Sequence, residues 1–213
     1  MLEFMEKGGM FMWPILACSV FALAIMAERA FALWLRFRLN AEQFLNQIIG
    51  YLEEKKFSRA IEVCNVEGKH PLAEVLKSGL MKANESDREI QRAMETTTLK
   101  VSGKVTARIS YLSMLANAST LLGLIGTIQG LIQSFAGIAS ADAAAKQDIL
   151  SKGIAVAMYT TFFGLLVAIP NVIAYSILTN RQNSLLTQIE VTATDLFNYL
   201  SARNQRLAQK KRA

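Results

Sequence analysis

The chain has 213 residues, 52% of them hydrophobic, and carries 23 Lys and Arg against 17 Asp and Glu, a net charge of +6. So apolar a balance, with the charges segregated along the chain, argues against an ordinary soluble domain, and the basic excess lacks the aromatic-interleaved patch that would point to nucleic acid. Cys18 lies in an apolar run and Cys64 in a polar one, so a disulfide framework is not expected.

Residues 1–10 read as a polar N-terminal segment. Glu3 and Glu6 outweigh Lys7, so the basic start of a signal peptide is missing, and the apolar run continues past Cys18 where a lipoprotein would be cleaved. Residues 11–35 are predicted as the first membrane helix. At 1.5 Å per residue, Trp13 and Trp34 would lie ~32 Å apart, the separation of two interfacial tryptophans.

Residues 36–108 read as a helical domain with no strand-like alternation. Phe44, Ile48 and Leu52 recur at four-residue spacing, and Ala60, Ile61 and Cys64 come after a break near Phe57 and Ser58. Pro71 suits the first position of a helix carrying Leu72, Val75, Leu76 and Leu80, with His70 expected as an exposed residue of the preceding turn. Ser86-Asp-Arg-Glu89 matches a capping box. Beyond the box only Gly103 breaks the helical pattern, so one helix is expected from about Asp87 to Gly137.

The 33 uncharged residues between Arg108 and Asp142 and the 28 between Lys152 and Arg181 each exceed the roughly 20 needed to cross a bilayer. They predict membrane helices over 109–137 and 153–180, joined by a hairpin over 138–152. The last span flows into a helical tail, 181–213, with Leu186, Ile189, Ala193, Leu196 and Leu200 as an apolar seam. Its basic end, RNQRLAQKKRA, is a solvated charge run or a weak contact for anionic membrane lipids. Near the span ends, lysine and arginine favour the side that holds 36–108 and 181–213. The N-terminus and the 138–152 hairpin are therefore expected outside and the large domain and tail in the cytoplasm. The fold class that results is all-α and integral to the membrane, with three transmembrane helices and long cytoplasmic helical extensions.

The two long spans carry small residues in stripes. In the second, Ser113, Ala116, Thr120, Gly123, Thr127, Gly130, Ser134 and Gly137 recur at spacings of three and four; in the third, Gly153, Ala157, Thr160, Gly164, Ala168, Asn171 and Tyr175 do, with Thr161 alongside. In lipid, close approach across small residues supplies helix packing, and Gly123, Gly126, Gly130 and Gly164 suit it, with Pro170 as a bend in the third span. Thr120, Thr127, Thr160, Thr161, Asn117, Gln129 and Gln133 add more polar groups than packing needs, and such groups usually face a bundle interior or a wet cavity. Hydroxyls and amides do not titrate near neutral pH, and neither span has a carboxylate, so any proton carrier must come from another chain. The chain would form the wall of an ion path.

Leu122-Gly-Leu-Ile-Gly-Thr-Ile-Gln-Gly130 resembles the second-span signature of the MotA/TolQ/ExbB proton-channel family. Gly153-Ile-Ala-Val-Ala-Met-Tyr-Thr-Thr-Phe-Phe-Gly-Leu-Leu-Val-Ala-Ile-Pro170 resembles its third-span signature, and the three-span layout places the likeness nearest the ExbB/TolQ branch. The resemblance implies a homopentameric ring in a bacterial inner membrane around ExbD- or TolR-like single-span partners, whose membrane aspartate carries the proton. Thr127 and Thr161 would line the path, with Thr160 and Thr120 close to it. Work would reach the periplasm through a TonB- or TolA-like protein or a motility machine. No cofactor and no catalytic or metal-ligating residue is implied. Val156 stands where ExbB and TolQ proteins typically carry glutamate, which leaves the subfamily and the choice of proton or sodium open. A non-conducting membrane scaffold would need the same stripes without the hydroxyls. A solute transporter would prefer broken helices or internal repeats, and an intramembrane enzyme paired acids or a nucleophile–base pair; the spans show neither.

Overall fold

The computed structural model describes residues 8–37, 39–66, 70–139 and 143–212, and every regular element among them is helical. The helices are α1 (Met12–Phe31), continued by a π-helical turn over Ala32–Arg36, α2 (Ala41–Glu53), α3 (Phe57–Val66), α4 (Pro71–Met81), α5 (Asp87–Thr106), α6 (Ser110–Ala139) and α7 (Ala143–Arg212). Among the described residues, three helical stretches are long and apolar enough to cross a membrane, within Met12–Leu35, Asp87–Ala139 and Ala145–Leu207. The chain divides into two compact units. One joins Met1–Arg29 to Arg108–Leu178, and the other joins Ala30–Ala107 to Thr179–Ala213.

The second unit is a helical domain built on amphipathic periodicity. Asn40 caps α2 by accepting a hydrogen bond from the Gln43 N–H at 3.3 Å, and Phe44, Leu45, Ile48 and Leu52 bury one face. Ala60 and Cys64 of α3 are wholly buried, whereas Ile61, one position away, is only half-buried. Successive helices α2 to α5 pack as neighbours, and Gly79 lets the Met94 side chain cross α4 closely. His70 departs from the sequence expectation. It is 4% exposed, and its Nδ1 accepts the Leu72 N–H at 3.1 Å as the cap of α4, while its ring stands edge-on to Phe37 with centroids 6.1 Å apart. A histidine at the N-cap can serve as asparagine does, and packing against an aromatic ring removes it from solvent.

The capping box expected at Ser86 lacks its serine half: the Ser86 hydroxyl makes no capping bond at the start of α5. The tail of α7 completes this unit with Leu185, Ile189, Ala193, Leu196 and Leu200 buried; Leu186, one residue off this line, is half-buried. Arg203 ties the tail down, donating to the Ala83 carbonyl at 2.7 Å with its guanidinium 4.6 Å from the centre of the Phe57 ring. Ser201 donates to Asp87 at 2.7 Å.

The single helix expected from Asp87 to Gly137 is two helices. α5 ends at Thr106, Ala107 turns out of helical geometry, and Arg108 takes the left-handed conformation with φ +65° before α6 begins at Ser110. No proline or glycine marks this point. Beside it the Arg108 guanidinium donates to both Glu28 carboxylate oxygens at 2.7 Å, a half-exposed ion pair next to a backbone conformation that a non-glycine residue seldom adopts. Gly103, the one breaker visible in the sequence, sits inside α5 without interrupting it. α7, by contrast, runs unbroken for 70 residues with Pro170 inside it. Proline has no N–H, so the Leu166 carbonyl loses its usual partner there.

Candidate functional site

The first unit brings together α6, the first part of α7 and most of α1. α6 buries Ala116, Ser119, Gly123, Gly126, Gly130 and Ser134 along one line, and α7 answers with Ala157, Thr160, Gly164, Ala168 and Asn171. The approach is as close as backbones allow. A methyl group added at Gly164 would lie 2.7 Å from the Ser119 carbonyl oxygen and 3.1 Å from the Gly123 Cα. One at Gly130 would lie 3.0 Å from the Gly153 carbonyl oxygen. Gly126 makes room for the Thr160 side chain, and Gly123 faces the backbone of Thr160, Thr161 and Gly164. Gly123, Gly126, Gly130 and Gly164 thus occupy the packing seam, as small residues in lipid should.

The stripe read from the sequence of the second span is corrected by one position over part of its length. Ser119 and Gly126 face α7, whereas Thr120 is exposed and Thr127 half-exposed. Residues 119 and 126, and equally 120 and 127, continue a spacing of three and four. The two lines differ by about 100° around the helix, and the smaller side chains take the contact. Asn117, Gln129 and Gln133 are also exposed on the unit. The third-span stripe holds, with Thr160 wholly buried and Thr161 half-buried.

Each of the four hydroxyls at Thr120, Thr127, Thr160 and Thr161 has a partner. Thr120 donates to the Ala116 carbonyl at 3.1 Å and Thr127 to the Leu124 carbonyl at 2.6 Å, both within α6. Thr161 donates across the seam to the Gly123 carbonyl at 3.1 Å. Thr160 lies 2.8 Å from the Val156 carbonyl of its own helix and 2.8 Å from the Gly8 carbonyl, in the segment ahead of α1. A threonine that donates its only proton presents lone pairs alone to any further group, so it acts as an acceptor towards a protonated acid.

Three features of this unit escaped the sequence reading. Ser119 sits beside Thr120 in the same period, the Gly8-Gly9 pair precedes an apolar run, and the Glu28-Arg29 pair, visible near the end of the first span, did not reveal Arg108 as the partner of Glu28. Among the described residues, no three His, Cys, Asp or Glu side chains converge in a way that would hold a metal ion.

Residues 67–191 match the model of the MotA/TolQ/ExbB proton channel family. The biopolymer transport protein exbB1 of Vibrio cholerae is 26% identical over 193 residues, covering 89% of this chain and 84% of that protein. A putative ExbB-like biopolymer transport protein of Synechocystis is 26% identical over 92% of this chain and 77% of its own length. The Tol-Pal system protein TolQ of Pseudomonas aeruginosa is 34% identical over 46% of this chain and 42% of its own length. The matched segment includes the whole α6–α7 seam, and with three apolar helices around it the chain belongs to the MotA/TolQ/ExbB proton channel family, nearest its ExbB/TolQ branch.

Proposed function

We propose that the chain is an ExbB/TolQ-like stator subunit of a proton-driven motor in a bacterial inner membrane. Five copies ring the helices of an ExbD- or TolR-like single-span partner, with the N-terminus and the 138–152 hairpin periplasmic and the 36–108 domain and 181–213 tail cytoplasmic. Proton flow through the ring is converted into work delivered to a TonB- or TolA-like or motility protein.

The observation that carries this reading is the pairing of hydroxyls with an absence of acid. Residues 109–141 and 153–180 contain no Asp, Glu, Lys or Arg, yet hold Thr120, Thr127, Thr160 and Thr161. A carboxylate brought to mid-membrane is costly when ionised, and neutral oxygen partners change that cost locally. With its proton given to the Leu124 carbonyl, Thr127 accepts from a protonated aspartic acid. By rotating its hydroxyl it donates instead to an ionised one, and Leu124 keeps its ordinary helical partner. Thr161 offers the same choice at the price of its bond to Gly123. One wall can therefore accommodate both protonation states of the partner's acid, which a wall of leucine cannot.

Native mass spectrometry of the complex purified from its host tests the assembly. The expected mass is five copies of this chain with a smaller single-span chain carrying a membrane aspartate. A monomer, or a pure ring to which no such chain binds when co-expressed, would overturn the reading.

A further inference from the structure

We propose that Thr160 is a positioning residue, a latch that holds the Gly8-Gly9 turn ahead of α1 on α7 and thereby fixes the facing of Thr161. Gly8 is buried, with the Met12 side chain filling the space over it, and Gly9 takes φ +74°, a left-handed conformation suited to glycine. A methyl group at Gly9 would lie 3.5 Å from the Val156 side chain, so the turn rests on the same stretch of α7 as the hydroxyl that binds it. Thr160 is wholly buried, its methyl end set in the room left by Gly126.

The chemistry of the latch comes down to a count of protons. The Thr160 hydroxyl has one proton and two acceptors, the Gly8 and Val156 carbonyls, each at 2.8 Å. Val156 belongs to a continuous helix and keeps its backbone partner whether or not the hydroxyl joins it. The Gly8 carbonyl precedes α1 and has no helical partner of that kind, so in an apolar setting it depends on Thr160. Closing the latch satisfies a carbonyl, and opening it leaves Thr160 still bonded to its own helix. Two adjacent hydroxyls thus tie α7 in two directions, Thr160 to the segment before α1 and Thr161 to Gly123 of α6. Neighbouring helical positions diverge by about 100°, so together the two bonds set the rotation of α7 at this level. The bearing on Thr161 rests on the function proposed above, whereas the latch itself does not.

Hydrogen–deuterium exchange of the full chain in lipid nanodiscs reads the latch without any ion flux. Thr160→Val keeps the shape and the contact with Gly126 but removes the donor; Thr160→Ser keeps the donor. The expected result is exchange over residues 9–12 about tenfold faster in Thr160→Val and within about twofold of the parent in Thr160→Ser, with residues 119–130 unchanged in both. An unchanged segment in Thr160→Val would overturn the proposal. Equal loosening in both variants, or loosening of 119–130 along with it, would also do so, because Thr160 would then act through packing at the seam. Undiminished proton flux in Thr160→Val alongside this exchange pattern would overturn the bearing on Thr161, and with it the flux role proposed above, while the latch itself stands.

Discussion

Thr127 and Thr161 differ in what their hydroxyls must give up. The first is bonded within its own helix at 2.6 Å, the second across the seam at 3.1 Å, so in the proposed role Thr127 would release no bond across the seam, whereas Thr161 would. A single side chain elsewhere supplies a sharp test of the helical domain. Cys64 is wholly buried, and burial pushes its thiol up to about 11, with Lys77 opposing weakly. A raised thiol pKa adds nothing to alkaline stability: the folded state holds its proton while the unfolded chain ionises near its ordinary value, so stability is fully present below about pH 9 and declines as the pH rises towards 11. At pH 8 the thiolate fraction is then about 100-fold lower in the folded chain, and alkylation of Cys64 is expected to be slower by at least that factor before denaturation than after it. Comparable rates in the two states would contradict the buried placement. At this scale the sequence was legible where a residue's chemistry is local, as for Pro71 at a helix start. It was not legible where no local residue signals the outcome: His70 caps α4 behind Phe37, and the helix breaks at Arg108, paired with the distant Glu28, where neither proline nor glycine marks the place.

Helices and their seams were easier to read than single contacts. The spans, the amphipathic faces of α2 and α4 and the long α7 are all visible in periodicity, because burial of one face repeats a signal many times along an element. The line of contact on α6 was not, since Ser119–Gly126 and Thr120–Thr127 fit the same spacing and only the partner helix distinguishes them. Glycine substitutions test that distinction. Gly164→Ala pushes a methyl against backbone atoms of Ser119 and Gly123, which cannot yield as the end of a flexible side chain would. It is expected to destabilise the chain by about 1–3 kcal/mol, read as a lowered thermal midpoint in detergent. Gly103→Ala meets nothing within 4 Å near the C-terminal end of α5, and should stabilise that helix by up to about 0.5 kcal/mol. The reverse order of the two variants would mean that the seam does not run through Gly164.

For the whole molecule, family membership rests on 67–191, which joins part of the helical domain to both long spans. A structural scaffold would account for the glycine seam, because close packing alone explains Gly123, Gly126, Gly130 and Gly164. It would not require Thr127 and Thr161, whose hydroxyls lie only partly covered on apolar helices. Proton-driven dye quenching in liposomes containing the chain co-assembled with the proposed single-span partner separates the two accounts most directly. With Thr127→Val and Thr161→Val combined, the complex is expected to assemble at its normal mass while proton flux falls at least about tenfold; flux undiminished in a correctly assembled double variant would contradict the claim that these hydroxyls serve the proton path.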